Sequence, residues 1–482
     1  MSKSLVGLEG IELLQSGAEV VEELEHKLSS LFQWYDRSHI INRYSILKHL
    51  LKKNGPWPNH TVARLMCAAC QYGVDNGRLL SDSALIDAIN VVGNTPSPSY
   101  HVVLSSPKTV ELFGQLIERD QFPFQEVVTK RDIGRAIWLY RYLIHDKSKD
   151  WLSGKFGTRV DRAFFVAAIT AHMFDDGKQN LLFDGNSLAS ALQAGYLIQD
   201  VMSVLRNCSA SVDVIGAMCD QQYADTKNKA FLWAGKSPLT RYPIIELCKG
   251  VYRSPFPNMI FSAFYRKVGD VVRSSDQHAA NFGEAFARYI ELVIDDLSPL
   301  NLVYPDKHGH ADARCDFKAV FAGYNLYVES KATRFSRKII NQQTIQSDTS
   351  TGEIASACVQ LAKSAEMDTG KKVGVVVIDD DLWFANSKWY RSRVIGRNKD
   401  VKQAVRCFGY FPSVWSVDTF ERVIAVSLNT GKGVDELIGE FESDDYNRYG
   451  DWPSWLGHRY RGVNSNKLDW ISGGVSGLLE SM

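Results

Sequence analysis

The amino-acid sequence predicts an α+β multidomain protein, in which a helical N-terminal region precedes a C-terminal α/β region with a mixed sheet flanked by helices. Apolar residues recur at helical spacing through most of the first 240 residues, and Pro, Gly and Asn separate the helical stretches. Further on, two β-forming runs flank Ala322-Gly323, and the apolar, β-branched run at residues 373–378 suits a buried strand. At 482 residues the chain is long enough for roughly two to four domains.

The helical region, residues 1–240, is predicted to form one domain. Its predicted helices are those at residues 7–32, 44–51, 62–72, 81–92, 109–118, 130–145, 160–174, 187–205 and 212–224. Their succession suits a helical, repeat-like array, although the sequence shows no repeat of fixed period. The apolar faces of these helices are interpreted as core, and the domain is expected to bind nucleic acid or a protein partner.

Composition restricts the classes of function. Lys and Arg together number 55, as do Asp and Glu, so the formal net charge is zero and a nucleic-acid site has to be basic locally. No apolar run reaches the roughly 18 residues of a membrane span, so no membrane association is expected. The eight cysteines are scattered and no signal peptide is found, which together favour reduced thiols and a cytoplasmic location.

A proline-rich stretch marks the expected domain boundary. Four prolines lie between residues 238 and 257, and residues 241–278 are interpreted as a linker that contains a helix at 257–273. The second domain is then 279–482, including a C-terminal extension. It opens with an amphipathic helix at 281–294, followed by a short strand around 302–304.

The centre of the second domain is a predicted β-hairpin at residues 315–331. A two-residue turn at Ala322-Gly323 places Asp316 directly opposite Glu329. Because side chains alternate along a strand, one face of the hairpin is apolar and the other is mostly polar. The residues of the polar face are Asp316, Lys318, Val320, Asn325, Tyr327, Glu329 and Lys331. This face gathers two carboxylates and two ammonium groups.

The two carboxylates have a chemical use. Asp316 and Glu329, on neighbouring strands, can share a hard divalent cation, since Mg²⁺ prefers oxygen ligands and keeps several of its waters. A bound cation lowers the pKa of its water and neutralises charge on a phosphoryl oxygen. Lys331 points to the same side as Glu329 and can orient this water or help to deprotonate it. A solvent-exposed hairpin with cross-strand ion pairs is the alternative interpretation of the same residues.

Asp316, followed by Glu329-Ser330-Lys331, resembles the signature of the PD-(D/E)XK nuclease superfamily. The resemblance covers roughly residues 275–380, where the predicted order of helix, strand, hairpin, helix and strand is that of the restriction-endonuclease-like core of this superfamily. It implies a site for Mg²⁺ or Mn²⁺ at Asp316 and Glu329, with Lys331 as a catalytic residue.

The resemblance implies further catalytic residues. The core of the superfamily opens with a helix that often supplies a third acid to the metal site, and Glu284 is assigned to this role, with Glu291 as the alternative. Gln360, on a helix predicted at 352–366, resembles the helix glutamine of the exonuclease-like branches. A literal Pro-Asp pair is present off the hairpin, so Asp306 competes with Asp316.

Cations beyond the hairpin form the predicted nucleic-acid interface. The polar loop at 332–352 and the basic, partly aromatic stretch at 388–399 can neutralise phosphates and stack on bases. The cations assigned to nucleic-acid binding are Arg334, Arg337, Lys338, Arg391, Arg393 and Arg397. An exposed basic helix or loop is an equally good interpretation of 388–399. One more strand is predicted at 423–428.

The sequence therefore predicts a Mg²⁺-dependent nuclease that hydrolyses phosphodiester bonds, with DNA as the expected substrate and defence against foreign DNA as the expected setting. A DNA repair nuclease is an alternative setting. A second hypothesis is a non-catalytic nucleic-acid-binding or scaffold protein that keeps a nuclease fold. The presence of Asp316, Glu329 and Lys331 in one consistent register favours catalysis, and the oligomeric state is left open.

Overall fold

The computed structural model describes residues 19, 21–43, 59–93, 128–175, 198–225, 237–297, 302–303, 315–321, 323–333, 349–366, 368–379, 386, 388–443, 452–463 and 468–479. They form a mixed α/β protein with two small sheets. The chain divides into two compact units, Met1–Val128 with Ser153–Asp270, and Thr129–Leu152 with Val271–Met482. Within the described ranges, no helix combines the length and apolarity needed to cross a membrane.

The main regular elements are named in chain order, and residues 21–32 and 37–43 are helical as well. The helices are α1 (Asn59–Tyr72), α2 (Asp82–Gly93), α3 (Lys130–Ile137), α4 (Asp146–Phe156), α5 (Val160–Asp175), α6 (Ile198–Cys208), α7 (Val212–Asp225), α8 (Met259–Arg273), α9 (Asp276–Leu297), α10 (Thr349–Ala365), α11 (Lys388–Arg397), α12 (Val401–Phe408), α13 (Val417–Thr430), α14 (Val434–Ser443), α15 (Trp452–Arg459) and α16 (Asp469–Leu479). A π-helical turn, Trp138–Leu143, continues α3, and a 3-10 helix is formed by Pro238–Thr240. The strands are β1 (Ser209–Ser211), β2 (Ile244–Cys248), β3 (Val251–Arg253), β4 (Leu302–Val303), β5 (Phe317–Val320), β6 (Asn325–Lys331), β7 (Lys372–Ile378) and β8 (Ser413–Ser416).

The first unit is mainly helical and carries one three-stranded sheet, in which β1 is parallel to β2 and β2 is antiparallel to β3. Helices α1 and α7 approach each other closely at Gly216, which has no Cβ. A Cβ at this position would lie 2.7 Å from the carbonyl oxygen of Cys70. The core between the elements is apolar, with Phe32, Met66 and Ile215 fully buried. The predicted helical character of residues 1–240 holds for most of the described residues of this unit.

Several predicted helices are confirmed with small shifts at their ends. The helices predicted at 62–72, 81–92, 160–174 and 212–224 are α1, α2, α5 and α7. The helix predicted at 130–145 is α3 with its π-helical continuation. The predictions at 44–51 and 109–118 lie outside the described residues.

The second unit is built around a five-stranded mixed sheet of order β4-β5-β6-β7-β8. Strands β4, β5 and β6 are antiparallel neighbours, whereas β6, β7 and β8 run parallel. Both α9 and α10 pack on β6. Helix α12 packs on β7, with the ring of Phe408 against Gly374. A Cβ on Gly374 would lie 2.9 Å from this ring. The central strands are therefore buried.

Residues 129–152 belong to the second unit, whereas the predicted domain 1–240 contained them. Gly134 of α3 packs against the backbone of α16, where a Cβ would lie 1.9 Å from the carbonyl oxygen of Ile471. Arg135 forms a buried ion pair with Glu421, 286 residues away. Contacts of such long range leave no periodic signal in the sequence, which is why the sequence pattern placed this segment with its neighbours along the chain.

The predicted strand at 423–428 is wrong, because these residues lie inside helix α13. Helix α13 has a defined start and end. The Ser416 hydroxyl oxygen accepts a hydrogen bond from the Thr419 N–H at 3.1 Å, as an N-cap does. Gly431, with φ of 72°, ends the helix in the left-handed conformation that glycine tolerates. The β-branched residues of this run are buried within a helix instead.

Candidate functional site

The β5–β6 hairpin has the predicted register. Phe317 pairs with Val328 across the two strands. At the turn, the Phe321 N–H donates a hydrogen bond to the Tyr324 carbonyl at 2.9 Å, and the two rings stack with centroids 4.7 Å apart. The residue that precedes β5 therefore lies opposite Glu329, as the sequence predicted.

That residue is Asp316, which lies in a bend just before β5. Its N–H donates to Glu329 Oε2 at 3.1 Å. Its carboxylate Oδ2 accepts hydrogen bonds from the Ser330 N–H at 2.8 Å and from the Ser330 hydroxyl at 2.6 Å. Alternation along the strand assigned Ser330 to the apolar face, so its part in holding Asp316 was not predicted. The competing Asp306 lies outside the described residues.

Glu329 is a buried carboxylate on β6, the central strand of the five-stranded sheet. Its side chain is 1% exposed, because β6 lies between two strands and is covered by helices. Burial, and then the negative charge of Asp316, raise its pKa to about 7. Lys331 Nζ donates to Glu329 Oε1 at 2.5 Å and opposes this rise. The site therefore holds a carboxylate that exchanges its proton near neutral pH.

A clamp that the sequence did not reveal holds the backbone beyond Lys331. Arg273, the last residue of α8, donates from Nε and Nη2 to the Ala332 carbonyl oxygen at 3.2 and 3.0 Å. Arg273 Nη2 also donates to Asp379 Oδ2 at 2.7 Å, and Asp379 is a fully buried carboxylate at the end of β7. Since Lys331 pairs with Ile378 in the sheet, this clamp fixes the ends of both strands beside the site.

Replacing Arg273 with Lys is expected to lower the free energy of unfolding by about 1 kcal/mol, because one ammonium group cannot reproduce the two-point grip on the Ala332 carbonyl. Urea unfolding measures this change. Arg288 is an exposed arginine of α9 and provides the control Arg288→Lys, for which a change below about 0.5 kcal/mol is expected. Equal effects of the two substitutions would contradict the clamp.

The predicted third acid does not join the two carboxylates. Glu284 is exposed on α9, and Glu291, two turns further along α9, is partly buried. Among the residues that the structure describes, no group of three or more His, Cys, Asp or Glu side chains is placed to hold a metal ion. Gln360 lies partly buried on α10, one turn after Ser356. The assigned catalytic roles of Glu284 and Gln360 stay predictions.

A pocket of about 560 Å³ opens beside Lys331. It is bounded by the end of β6, the first two turns of α10 and the end of α11. Its lining residues are Lys331, Gly352, Glu353, Ser356 and Arg397. The pocket brings the lysine of the predicted site next to one cation of the predicted nucleic-acid interface.

The cations of the predicted interface differ in their surroundings. The Arg391 guanidinium forms a two-point ion pair with the Glu442 carboxylate and lies over the Phe411 ring, so it has a structural role in this arrangement. Arg393 is partly buried, and Arg397 is exposed at the pocket. Arg334, Arg337 and Lys338 lie outside the described residues. Of the predicted interface arginines that the structure describes, Arg397 is the one that lines the pocket beside Lys331.

The donor set at the site suits a hard cation. Asp316 and Glu329 supply carboxylate oxygens that lie close enough for the charge of one to raise the pKa of the other. A divalent cation would remove this repulsion, and Mg²⁺ needs few carboxylates because it keeps several waters. The residues present therefore fit Mg²⁺ or Mn²⁺ held by two protein carboxylates.

Comparison of the chain with protein-family models, with curated proteins and with solved structures finds no match. The chemistry of the site therefore has to follow from its side chains. Two adjoining carboxylates, of which Glu329 is buried, a lysine hydrogen-bonded to Glu329, and an adjacent pocket with a second cation are suited to metal-assisted chemistry on an anionic substrate.

Proposed function

We propose that the second unit is a divalent-metal-dependent nuclease domain with the restriction-endonuclease-like core of the PD-(D/E)XK superfamily, and that it hydrolyses phosphodiester bonds, with DNA as its substrate. The observation that carries the proposal is the contact of Asp316 and Glu329 across the hairpin, with Lys331 hydrogen-bonded to Glu329. The succession of α9, β4, the hairpin, α10 and a parallel β7 supports it, since this is the expected order of the core.

Each residue has a role in this proposal. Asp316 and Glu329 would hold the cation, and Ser330 holds the Asp316 carboxylate in place through two hydrogen bonds. When bound, the cation would supply a water with a lowered pKa and would neutralise charge on the phosphoryl oxygen. Lys331 orients the attacking water and, as an ammonium group, stabilises the negative charge that develops when the water loses its proton. Its hydrogen bond to the buried Glu329 keeps the ammonium group at the site.

Purified full-length protein is expected to nick or degrade DNA in Mg²⁺ or Mn²⁺ and to lose this activity in chelator. Supercoiled and linear DNA, each incubated with and without chelator, test the proposal by gel electrophoresis. Lys331→Ala should lower the rate without abolishing metal binding, because an ammonium group is not a metal ligand. Efficient cleavage in chelator would contradict the two-carboxylate mechanism.

The non-catalytic scaffold is the second candidate. The observation that favours it is that only two carboxylates gather at the site among the described residues. It predicts DNA binding that neither metal nor chelator alters, and no cleavage under any of these conditions. Defence against foreign DNA and DNA repair are the settings proposed for the nuclease, because a nuclease core joined to a large helical unit suits both.

A further inference from the structure

The pocket beside Lys331 has a charge balance that restricts its ligand. Lys331 and Arg397 contribute positive charges and Glu353 contributes a negative one. The charge of Lys331 is already shared with Glu329, to which it donates a hydrogen bond at 2.5 Å. Among the residues that the structure describes, the lining therefore presents at most one unit of net positive charge to a ligand.

The position of Glu353 determines where the negative charge lies in the pocket. Glu353, Gly352 and Ser356 lie in the first two turns of α10, so they face the pocket from one side. Arg397, from the end of α11, reaches the same helix, with its Nε 3.7 Å from where a Cβ on Gly352 would lie. An anion between Lys331 and Arg397 therefore has the Glu353 carboxylate as a neighbour and the Ser356 hydroxyl as a donor.

Phosphate groups differ in how they suit such a lining. An internal phosphodiester carries one negative charge, whereas a terminal phosphomonoester carries about 1.5 to 2 at neutral pH. The second charge would be repelled by Glu353, and the described lining offers it no cation beyond Lys331 and Arg397. The pocket has a volume of about 560 Å³ and is open to solvent, so a phosphate within a strand can reach its lining.

We propose that this pocket binds an internal phosphodiester of a nucleic-acid strand between Lys331 and Arg397, and that Glu353 selects against terminal phosphomonoesters. This inference rests on the proposed function, since it names the substrate class of the same site. The protein would then act on phosphodiester bonds within a strand and would not bind the phosphorylated end of a strand. Glu353 is then a specificity residue that touches the substrate and takes no part in bond cleavage.

Binding of two small probes to the full-length protein in chelator tests the selection without cleavage. One probe is a dinucleoside monophosphate, which has a phosphodiester and no monoester. The other is a nucleoside 5′-monophosphate, which has a monoester and no diester. Dissociation constants are measured by calorimetry for the wild type and the variants Glu353→Gln and Arg397→Gln. The matched controls are Glu436→Gln and Arg406→Gln, because both residues are exposed on other helices of the same unit.

The wild type is expected to prefer the diester, and Glu353→Gln should shift the ratio of the two dissociation constants toward the monoester by about fivefold. Arg397→Gln should weaken binding of both probes by a similar factor and lower the salt dependence of DNA binding by about one unit of slope. The controls should leave all values unchanged. Tighter binding of the monoester by the wild type, an unchanged ratio in Glu353→Gln, or no binding of either probe would overturn the inference.

Cleavage assays separate this inference from the proposed function. If DNA is cleaved in Mg²⁺ and the ratio of the two probes does not depend on Glu353, the pocket inference fails and the nuclease stands. If the ratio depends on Glu353 but no DNA is cleaved in any metal, the pocket is a phosphodiester site and the proposed nuclease activity fails.

Discussion

Replacing Glu329 with Gln is expected to abolish metal-dependent DNA cleavage while leaving the fold intact. The amide keeps the shape of the side chain but loses the negative charge that a hard cation requires. Its carbonyl oxygen can still accept the Asp316 N–H, which now binds Glu329 Oε2 at 3.1 Å. The rate should fall by at least about a thousandfold, since catalytic constellations act as a unit. Plasmid nicking in Mg²⁺ measures this loss.

A second, metal-free measurement tests the electrostatics of the same residue. Glu329 has a pKa of about 7 in the folded chain against a usual value of 4.5, chiefly because it is buried and then because Asp316 repels it. Stability from such a group is fully present below the unfolded pKa and is lost as the pH rises through the folded pKa. The free energy of unfolding of the wild type, relative to Glu329→Gln, should therefore fall by about 3 kcal/mol between these two values.

Urea unfolding of both proteins in chelator, at about pH 5 and about pH 8, measures this difference. Mg²⁺ added at the higher pH should restore stability to the wild type and not to the variant, because a ligand stabilises only the state that binds it. Glu436→Gln, at an exposed residue of α14, is the control and should show no such pH dependence. A difference that does not change with pH would mean that Glu329 is neither desolvated nor repelled.

The hairpin was predictable because its signals are local. A short turn at Gly323 fixes the pairing, and alternation along β5 and β6 then fixes which residues meet, as the pairing of Phe317 with Val328 shows. The bend at Asp316 breaks this alternation, so the hydrogen bonds from Ser330 could not be foreseen. Buried strand β7 was equally clear, since a β-branched run broken only by Gly374 suits a strand buried on both faces.

Predictions failed or fell short where tertiary contacts decide. The run at 423–428 has the composition of a strand, but its capping residues, Ser416 and Gly431, lie outside the run and determine a helix. Arg391 looked like a phosphate contact in a basic stretch, yet its partner Glu442 lies 51 residues further along the chain. The Arg273 clamp binds Ala332, which is 59 positions further along the chain, and Asp379, which is 106 positions further. None of these partners is marked by spacing in the sequence.

The buried ion pair of the second unit should produce the largest effect on stability. Arg135 Nε and Nη2 donate to the two Glu421 carboxylate oxygens at 2.7 and 3.0 Å, and the Tyr289 hydroxyl donates to Glu421 Oε1 at 2.7 Å. Glu421 and Tyr289 are fully buried. Burial raises the pKa of Glu421, and Arg135 opposes this rise. The arginine therefore compensates for a carboxylate that has no access to water.

Arg135→Met is expected to lower the free energy of unfolding by about 3–5 kcal/mol at neutral pH, because it leaves the Glu421 carboxylate buried without its cation. Without Arg135 the pKa of Glu421 should rise further, so this deficit should shrink as the pH falls and Glu421 takes up a proton. The double variant Arg135→Met/Glu421→Leu should recover part of the loss, since the apolar pair carries no buried charge, although the Tyr289 hydroxyl loses its acceptor. Denaturant unfolding at two pH values measures all three proteins. A double variant as unstable as Arg135→Met would show instead that the geometry of the ion pair, rather than the uncompensated charge, holds residues 129–152 in the second unit.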